Sequence, residues 1–294
     1  MSSYPLISYL IAVFNEEKFI GDCLYSLLSQ SYKNIEIILV DDSSTDNTYD
    51  IAQKILSSQK IYPYKIHKFL FNQGKCSAYN KAFAESSGSF ITIIGGDDIA
   101  PPFRTEIAIN NILINKVKFA YGGFTKFTRL DRFKLSKPSK YKKSKLYFTN
   151  SVSGATNFIS RDLAIKIFPL PTYIPSEDWY ISTKVQKLGF SPFYIESNLL
   201  YYRIHENNDS SIADISGYIS QLNREIKVLK CFLIEECSTP LKKRIRRSME
   251  YRYLIIYFLK YNNLKYFFKL LILTFTPLRL YMLLAIKLFI KKLI

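Results

Sequence analysis

Cysteine is scarce and unpatterned. Four residues, Cys23, Cys76, Cys231 and Cys237, include no Cys-x-x-Cys pair, which excludes a disulfide scaffold and implies buried or unmodified thiols in a reducing compartment. The first residues, Met1 to Pro5, carry no basic segment, and the apolar stretch Leu6 to Phe14 is short and runs into Asn-Glu-Glu. A strand fits that stretch and a signal peptide does not, so a cytoplasmic chain is expected. Histidine occurs twice, as His67 and His205, and tryptophan once, as Trp179. No internal repeat is present. The apolar tail Leu264 to Ile294 is broken by Lys265, Lys269, Pro277, Arg279, Lys287, Lys291 and Lys292, so it offers no uncharged run of about 18 residues for a clean transmembrane helix.

Acidic residues are also few, 24 Asp+Glu against 41 Lys+Arg, for a net charge of +17. The excess is localised. Residues 221–294 carry +12 and residues 124–148 carry +8, leaving −3 for everything else. A nucleic-acid groove would place basic residues in the folded cleft, so this distribution excludes one and points to a surface that meets anionic lipid. Basic amphipathic helices lying in the membrane interface are expected for the tail. Packing of those helices on the rest of the folded chain, or on a second copy of the chain in a homo-oligomer, is the alternative.

What the sequence has in quantity is apolar residues, 48% of 294, enough for one large α/β domain with an appendage. Short apolar runs at Leu6–Val13, Ile35–Val40, Tyr64–Leu70 and Phe90–Ile94 are expected to be buried strands. Helical spacing separates them: Phe19, Ile20, Cys23, Leu24, Leu27 and Leu28, then Tyr49, Ala52, Ile55 and Leu56, then Ala78, Ala82 and Phe83. The βαβαβαβ order predicts an α/β fold, a mostly parallel sheet flanked by helices, with ligands at the carboxyl ends of the strands. Beyond it, a helix is expected around Thr105–Ile114, a strand around Lys118–Thr125, a mobile Lys/Tyr/Ser-rich loop, and helices from Ser216 onward.

The polar motifs fall at those carboxyl ends. Ala12-Val13-Phe14-Asn15-Glu16-Glu17 follows the first strand, where Asn15 is expected to cap the next helix. Val40-Asp41-Asp42-Ser43-Ser44-Thr45-Asp46-Asn47-Thr48 follows the second strand and sets two carboxylates side by side. Asn72-Gln73-Gly74-Lys75 follows the third, with Gly74 at a helix mouth suited to an anion such as a diphosphate. Gly95-Gly96-Asp97-Asp98 follows the fourth. Four carboxylates gathered at one edge repel one another unless donors or a ligand lie between them. A divalent ion, Mg²⁺ or Mn²⁺, relieves that conflict by taking carboxylate oxygens together with substrate phosphates.

In order and spacing these segments resemble the family-2 group of GT-A glycosyltransferases over residues 6 to about 205. The resemblance implies a GT-A catalytic domain over 1–215, with a nucleotide-binding half at 1–100 and an acceptor-binding half at 101–215; charge and apolar spacing add the expectation of a basic helical, membrane-associating region at 216–294. It implies that Asp42 contacts the base, that Ala12, Val13, Phe14, Asn15 and Glu17 line the nucleotide-sugar site with Gly74 and Lys75, that Asp97 lies by the ribose or sugar, and that Asp98 holds the metal. Tyr79 stands where many members have Arg, and Gly95 where many have the first Asp of Asp-x-Asp. Further on, Gly154-Ala155 and Glu177-Asp178-Trp179 resemble the acceptor-side segment and the catalytic Glu-Asp motif.

Inversion requires a base opposite the leaving group, and Asp178 is the choice; the same pair could simply open the helix Trp179–Leu188 and interact with its dipole. Trp179 reads as core or acceptor wall. His205, in Tyr-Arg-Ile-His-Glu, matches a late family loop as a metal ligand or phosphate contact, against an ordinary exposed histidine. The expected activity is transfer from a nucleotide-diphosphate sugar, a UDP-sugar first, to a glycan acceptor on a polyprenyl diphosphate during assembly of a surface polysaccharide, at the inner face of the membrane. A polyprenyl-phosphate sugar synthase, and a non-catalytic membrane-bound scaffold of the same fold, are the rivals.

Overall fold

The computed structural model describes residues 4–129, 132–135, 152, 154–205, 214–236, 238–261, 266, 285 and 286. The rest of the basic loop, Ser153, residues 206–213, Cys237 and most of the tail beyond residue 261 lie outside the described residues, and so do the expectations made for them. The described residues form two compact units. The first takes in the described residues of 1–141, 152–173 and 180–204, and the second those of 174–179 and 205–294.

In the first unit the chain runs β1 (Ile7–Val13), α1 (Ile20–Leu28), β2 (Ile35–Asp41), α2 (Thr48–Ser58), β3 (Tyr64–Lys68), α3 (Lys75–Glu85), β4 (Phe90–Gly95), α4 (Arg104–Asn115), β5 (Phe119–Arg129) and β6 (Arg132–Leu135). A 3-10 turn at Gly154–Thr156, β7 (Phe158–Ser160) and the short α5 (Arg161–Ala164) follow, and β8 (Phe193–Arg203) comes after α6 (Glu177–Lys187). All but β8 lie in the sheet order β3-β2-β1-β4-β7-β5-β6, and β8 pairs with β5. Strands β3, β2, β1 and β4 are parallel, β7 is antiparallel to β4 and β5, and β8 is parallel to β5. The expected α/β sheet is therefore present, with antiparallel strands added to its parallel half.

Strands β1 and β2 are buried at every position, because helices cover both faces and no strand residue is left for water. Helix α1 buries Ile20, Cys23, Leu24 and Leu27, one stripe at helical spacing, against the same core as Ile11, Ile37, Leu39, Ile109 and Phe158. Truncating such a residue, Ile11→Ala for example, costs about 2–5 kcal/mol. One sequence expectation is corrected here. β3 is the sheet's outer strand, is exposed or half-buried throughout and ends at Lys68, whereas Leu70 is 96% exposed. An edge strand buries little, so its apolar run did not report burial.

The order in which strands are added reverses at β1, which carries β2 on one side and β4 on the other, all three parallel. That switch point opens a crevice at the strands' carboxyl ends. Register brings the ends together: Val13 is paired with Asp41 and Ala12 with Gly95.

The second unit is built on α7 (Ile215–Glu235) and α8 (Thr239–Tyr261). Asp214 caps α7, its side chain accepting from the Gly217 amide at 2.7 Å. Tyr218, Leu222 and Ile226 of α7 meet Tyr251, Leu254, Ile255, Phe258 and Leu259 of α8 in a second core. No helix among the described residues is long and apolar enough to cross a membrane.

Candidate active site

The loop after β1 is laced to the loop after β2. The amides of Asn15, Glu16 and Glu17 donate to Ser44 Oγ at 2.9 Å, Thr48 Oγ1 at 2.7 Å and Asp46 Oδ2 at 3.1 Å. In return Asn15 Oδ1 accepts from the Thr45 amide at 2.9 Å, and Glu17 Oε2 accepts from the Asn47 amide and Nδ2 at 3.1 and 2.9 Å. Asn15 sits at φ 56, in the left-handed region that asparagine tolerates. Contrary to the sequence expectation, it does not cap α1. The residue before that helix is Phe19, with no side-chain cap, because the Asn15 amide oxygen is committed across to Thr45. Phe14 is 45% exposed beside these bonds.

Asp42 is bonded on both carboxylate oxygens, whereas buried Asp41 is bonded on one and its Oδ2 has no hydrogen-bond partner. Asp41 Oδ1 accepts from the Ser44 amide at 2.6 Å. Asp42 accepts from the Gln73 amide at 2.7 Å and the Gly74 amide at 2.8 Å, one on each oxygen. Gly74, at φ 87, lets the chain turn into α3 and bring those amides round. The anion facing this helix mouth is thus Asp42 itself. Burial raises the Asp42 pKa, Asp41 adds to that, and the two amides oppose it.

The expected cluster of four acids divides in two, since Asp41 takes an amide from the loop after β2 and Asp42 takes two from the loop after β3. The carboxylates that press on one another are Asp97, Asp98 and Glu16. Burial raises the Glu16 pKa well above the carboxylate range, and the charges of Asp97 and Asp98 raise it further against the opposing pull of Lys75. Burial and Asp97 do the same to Asp98, opposed by the Arg203 amide and by the charges of Arg104 and Arg203. Gly96 makes room: a Cβ there would collide with Glu16 Oε2. A Cβ on Gly95 would lie 2.5 Å from Asp97 Oδ1, so the Asp97 carboxylate fills the space of the missing side chain where the family pattern carries another acid.

Sequence reasoning gave Glu17 the donor-site role and passed over Glu16. Adjacent loop glutamates cannot be told apart without the backbone, which here turns Glu17 toward Asn47 and Glu16 toward Gly96. It also missed Arg203, whose amide donates to Asp98 Oδ1 at 3.0 Å, whose Nε donates to the Asp97 carbonyl at 2.8 Å and whose Nη2 pairs with Asp22 at 2.7 Å. The guanidinium lies between the rings of Phe19 and Phe127, 4.9 and 4.7 Å from their centroids. Arg104 was missed as well. It is fully buried, with its guanidinium carbon 5.5 Å from the Tyr9 ring centroid and 5.4 Å from that of Phe158. A position at a strand's carboxyl end was the available signal for Arg203; for Arg104 there was none.

The ligand atoms that Asp97, Asp98 and Glu16 offer at this corner are carboxylate oxygens, and Glu16 Oε2 is enclosed without a hydrogen-bond partner. Such a set fits Mg²⁺ or Mn²⁺, which takes one or two carboxylates and completes its shell with water and substrate phosphate. Among the described residues no three His, Cys, Asp or Glu side chains are already gathered to hold an ion unaided. Cys23 lies in the core beneath, its Sγ bonded to the Gly95 carbonyl at 3.3 Å and its pKa raised well above normal by burial and these acids. Cys23, Cys76 and Cys231 are buried thiols.

Gly154 and Ala155 open the 3-10 turn before β7. That turn is fixed by the Asn157 amide on the Gly154 carbonyl at 3.1 Å and by Thr92 Oγ1 on the Asn157 carbonyl at 2.7 Å. Glu177 and Asp178 form the first turn of α6, and Asp178 Oδ1 accepts from the Trp179 amide at 2.8 Å. Trp179 is 2% exposed and packs edge-on against Phe232 of α7, as a core residue of the second unit. His205 is half-buried, two residues past the end of β8. Tyr79 is buried.

The sequence model described as Glycosyl transferase family 2 matches residues 8–168. An uncharacterized glycosyltransferase of Haemophilus influenzae is 34% identical over 120 residues, which span 41% of this chain and 47% of that protein. The Escherichia coli UDP-Glc:alpha-D-GlcNAc-diphosphoundecaprenol beta-1,3-glucosyltransferase WfaP is 29% identical over 228 residues, 76% of this chain and 86% of that one. Among solved structures, the mannosyltransferase PcManGT from Pyrobaculum calidifontis in complex with GDP-Man and Mn²⁺ superposes with a TM-score of 0.63 at 16% identity, covering 89% of this chain and 72% of its own.

Proposed function

The chain belongs to glycosyl transferase family 2, and from that we propose that it transfers a sugar, with inversion, from a UDP-sugar to a hydroxyl of a glycan carried on a polyprenyl diphosphate, in assembly of a surface polysaccharide. The observation that carries the reading is the meeting of Asp97, Asp98 and Glu16 where β1 and β4 end side by side. A divalent ion held by Asp97 and Asp98 together with the donor's diphosphate would neutralise charge on the leaving group. The donor's nucleoside would lie along Ala12 to Asn15, with Asp42 toward the base and Lys75 toward the phosphates. His205 is assigned to a phosphate or the metal. Gly154, Ala155 and Glu177 are assigned to the acceptor.

Chemically, Asp178 takes the proton of the acceptor hydroxyl as that oxygen bonds to the anomeric carbon. On the opposite face the bond to the diphosphate breaks, and its electron pair leaves with the nucleotide. The name of WfaP, which acts from UDP-Glc on a diphosphoundecaprenol-linked sugar, supports the choice of donor and acceptor class. The site would work at the cytoplasmic face of the membrane, where such an acceptor is reached.

The test uses the full chain with UDP-glucose, Mn²⁺ and a GlcNAc-diphospholipid, with product followed by mass spectrometry and its anomeric configuration by NMR. A β-linked hexose, with Asp178→Asn at least about 10³-fold slower, supports the reading. Retention of configuration, or full activity of Asp178→Asn, contradicts it. If Asp178→Asn were fully active and also transferred glucose to a polyprenyl monophosphate offered in place of this acceptor, a phosphate nucleophile that needs no base would be favoured.

A further inference from the structure

Arg252, on α8, is fully buried. Its Nε donates to Glu225 Oε2 of α7 at 2.6 Å, and its Nη1 donates to Ser248 Oγ at 2.6 Å and to the Ser248 carbonyl at 3.1 Å. The guanidinium carbon lies 5.6 Å from the centre of the Trp179 ring, and the same ring meets Phe232 of α7 at 6.0 Å and 77°. A buried ion pair is a poor way to stabilise a helix packing, because apolar residues of similar volume do as well or better once desolvation is counted. What directional bonds add is a fixed plane. Three bonds hold the Arg252 fork, the fork presents its charge to the indole ring, and the ring belongs to the residue directly after Asp178, whose carboxylate accepts from that residue's own amide.

We propose that the Arg252–Glu225 pair is a positioning device for the Glu177-Asp178-Trp179 turn, by which α7 and α8 fix the placement of Asp178 within the second unit. The proposal rests on Asp178 being the base. An apolar side chain under Trp179 would fill the same volume but let the ring, and Asp178 with it, settle in more than one place. A displacement of the order of an ångström is enough to slow a displacement reaction about 10²-fold.

The test compares wild type, Arg252→Lys, the double variant Arg252→Met/Glu225→Met and Asp178→Asn in one transfer assay, alongside melting temperature and UDP–Mn²⁺ affinity. Arg252→Lys keeps the charge and loses the planar fork. The double variant removes both charges, which keeps the comparison valid if the single variant fails to fold. The expected result is about 10- to 100-fold lower kcat in whichever variant folds, with donor KM and nucleotide affinity unchanged and the acidic limb of the kcat–pH profile displaced. A purely structural role would lower the melting temperature and leave that limb in place. Inactive Asp178→Asn beside folded Arg252 variants of normal kcat and unshifted profile overturns the proposal and spares the base. Active Asp178→Asn overturns both.

Discussion

A carboxyl group whose pKa is raised by burial and by neighbouring carboxylates, as that of Glu16 is, binds its proton more tightly in the folded chain than in the unfolded one. Its contribution to stability is complete below the ordinary glutamate value and is lost as pH rises through the raised one. Glu16→Gln should therefore melt higher than wild type at pH 8 without divalent metal, with the gap closing toward pH 4; an equal melting temperature at pH 8 would contradict the placement of Glu16 among the acids. Glu36 has the opposite sign. Burial raises its pKa, but bonds from Ser8, Ser87 and Gly88 outweigh that and leave it lowered. Its stabilisation is present above the ordinary value and fades as pH falls through the lowered one. Glu36→Gln should cost about 1–3 kcal/mol at pH 7, measured by urea denaturation, and the cost should shrink toward pH 3. Neither role was legible in the sequence, because partners such as Gly88, 52 residues away, leave no local pattern.

Elements were more legible than contacts. The continuous apolar runs of β1 and β2 and the stripe of α1 reported two-sided and one-sided burial, and Gly74 marked the mouth of α3, because those signals are local. The strand at Tyr64 gave the same apolar signal but lies at the edge, and composition does not register a strand's place in a sheet. The tail 264–294, read as interfacial, lies outside the described residues except at 266, 285 and 286, while α8 before it buries Ile245, Tyr251, Arg252, Ile255 and Phe258. Its charged surface and its packed seam share one amphipathic pattern, and sequence cannot say whether lipid or protein meets the apolar side. Deleting residues 239–294 should consequently give aggregated protein on size exclusion, since the α7 seam loses its cover; a monodisperse, folded truncation would contradict this. At the β4 turn, Gly96→Ala would force a methyl group into Glu16 Oε2 and within 2.5 Å of Val13 Cγ1. A loss of about 1–3 kcal/mol in stability, with loss of transfer activity, is expected.

For the whole molecule, the separation of charge is the property that contacts do not report. A body near neutrality with +12 in residues 221–294 should bind anionic vesicles at low salt and release at about 0.5 M salt, where the Debye length is only a few ångströms. Sedimentation of the intact chain with anionic and zwitterionic vesicles checks it, and equal binding to both would refute the electrostatic account. Motif order carried the family and put the polar segments at the carboxyl ends of the strands, because spacing at strand ends follows from the fold. The division of labour among the acids emerged only with the backbone.

The central claim is that Asp98 and its neighbours bind a nucleotide diphosphate together with a divalent ion. Calorimetric titration of the full chain with UDP, GDP and dTDP, with and without Mn²⁺, in wild type and Asp98→Ala, tests it most directly. The account predicts Mn²⁺-dependent binding of UDP in preference to the other two, lost in Asp98→Ala. Binding indifferent to metal and to the substitution, or no nucleotide binding at all, would contradict it.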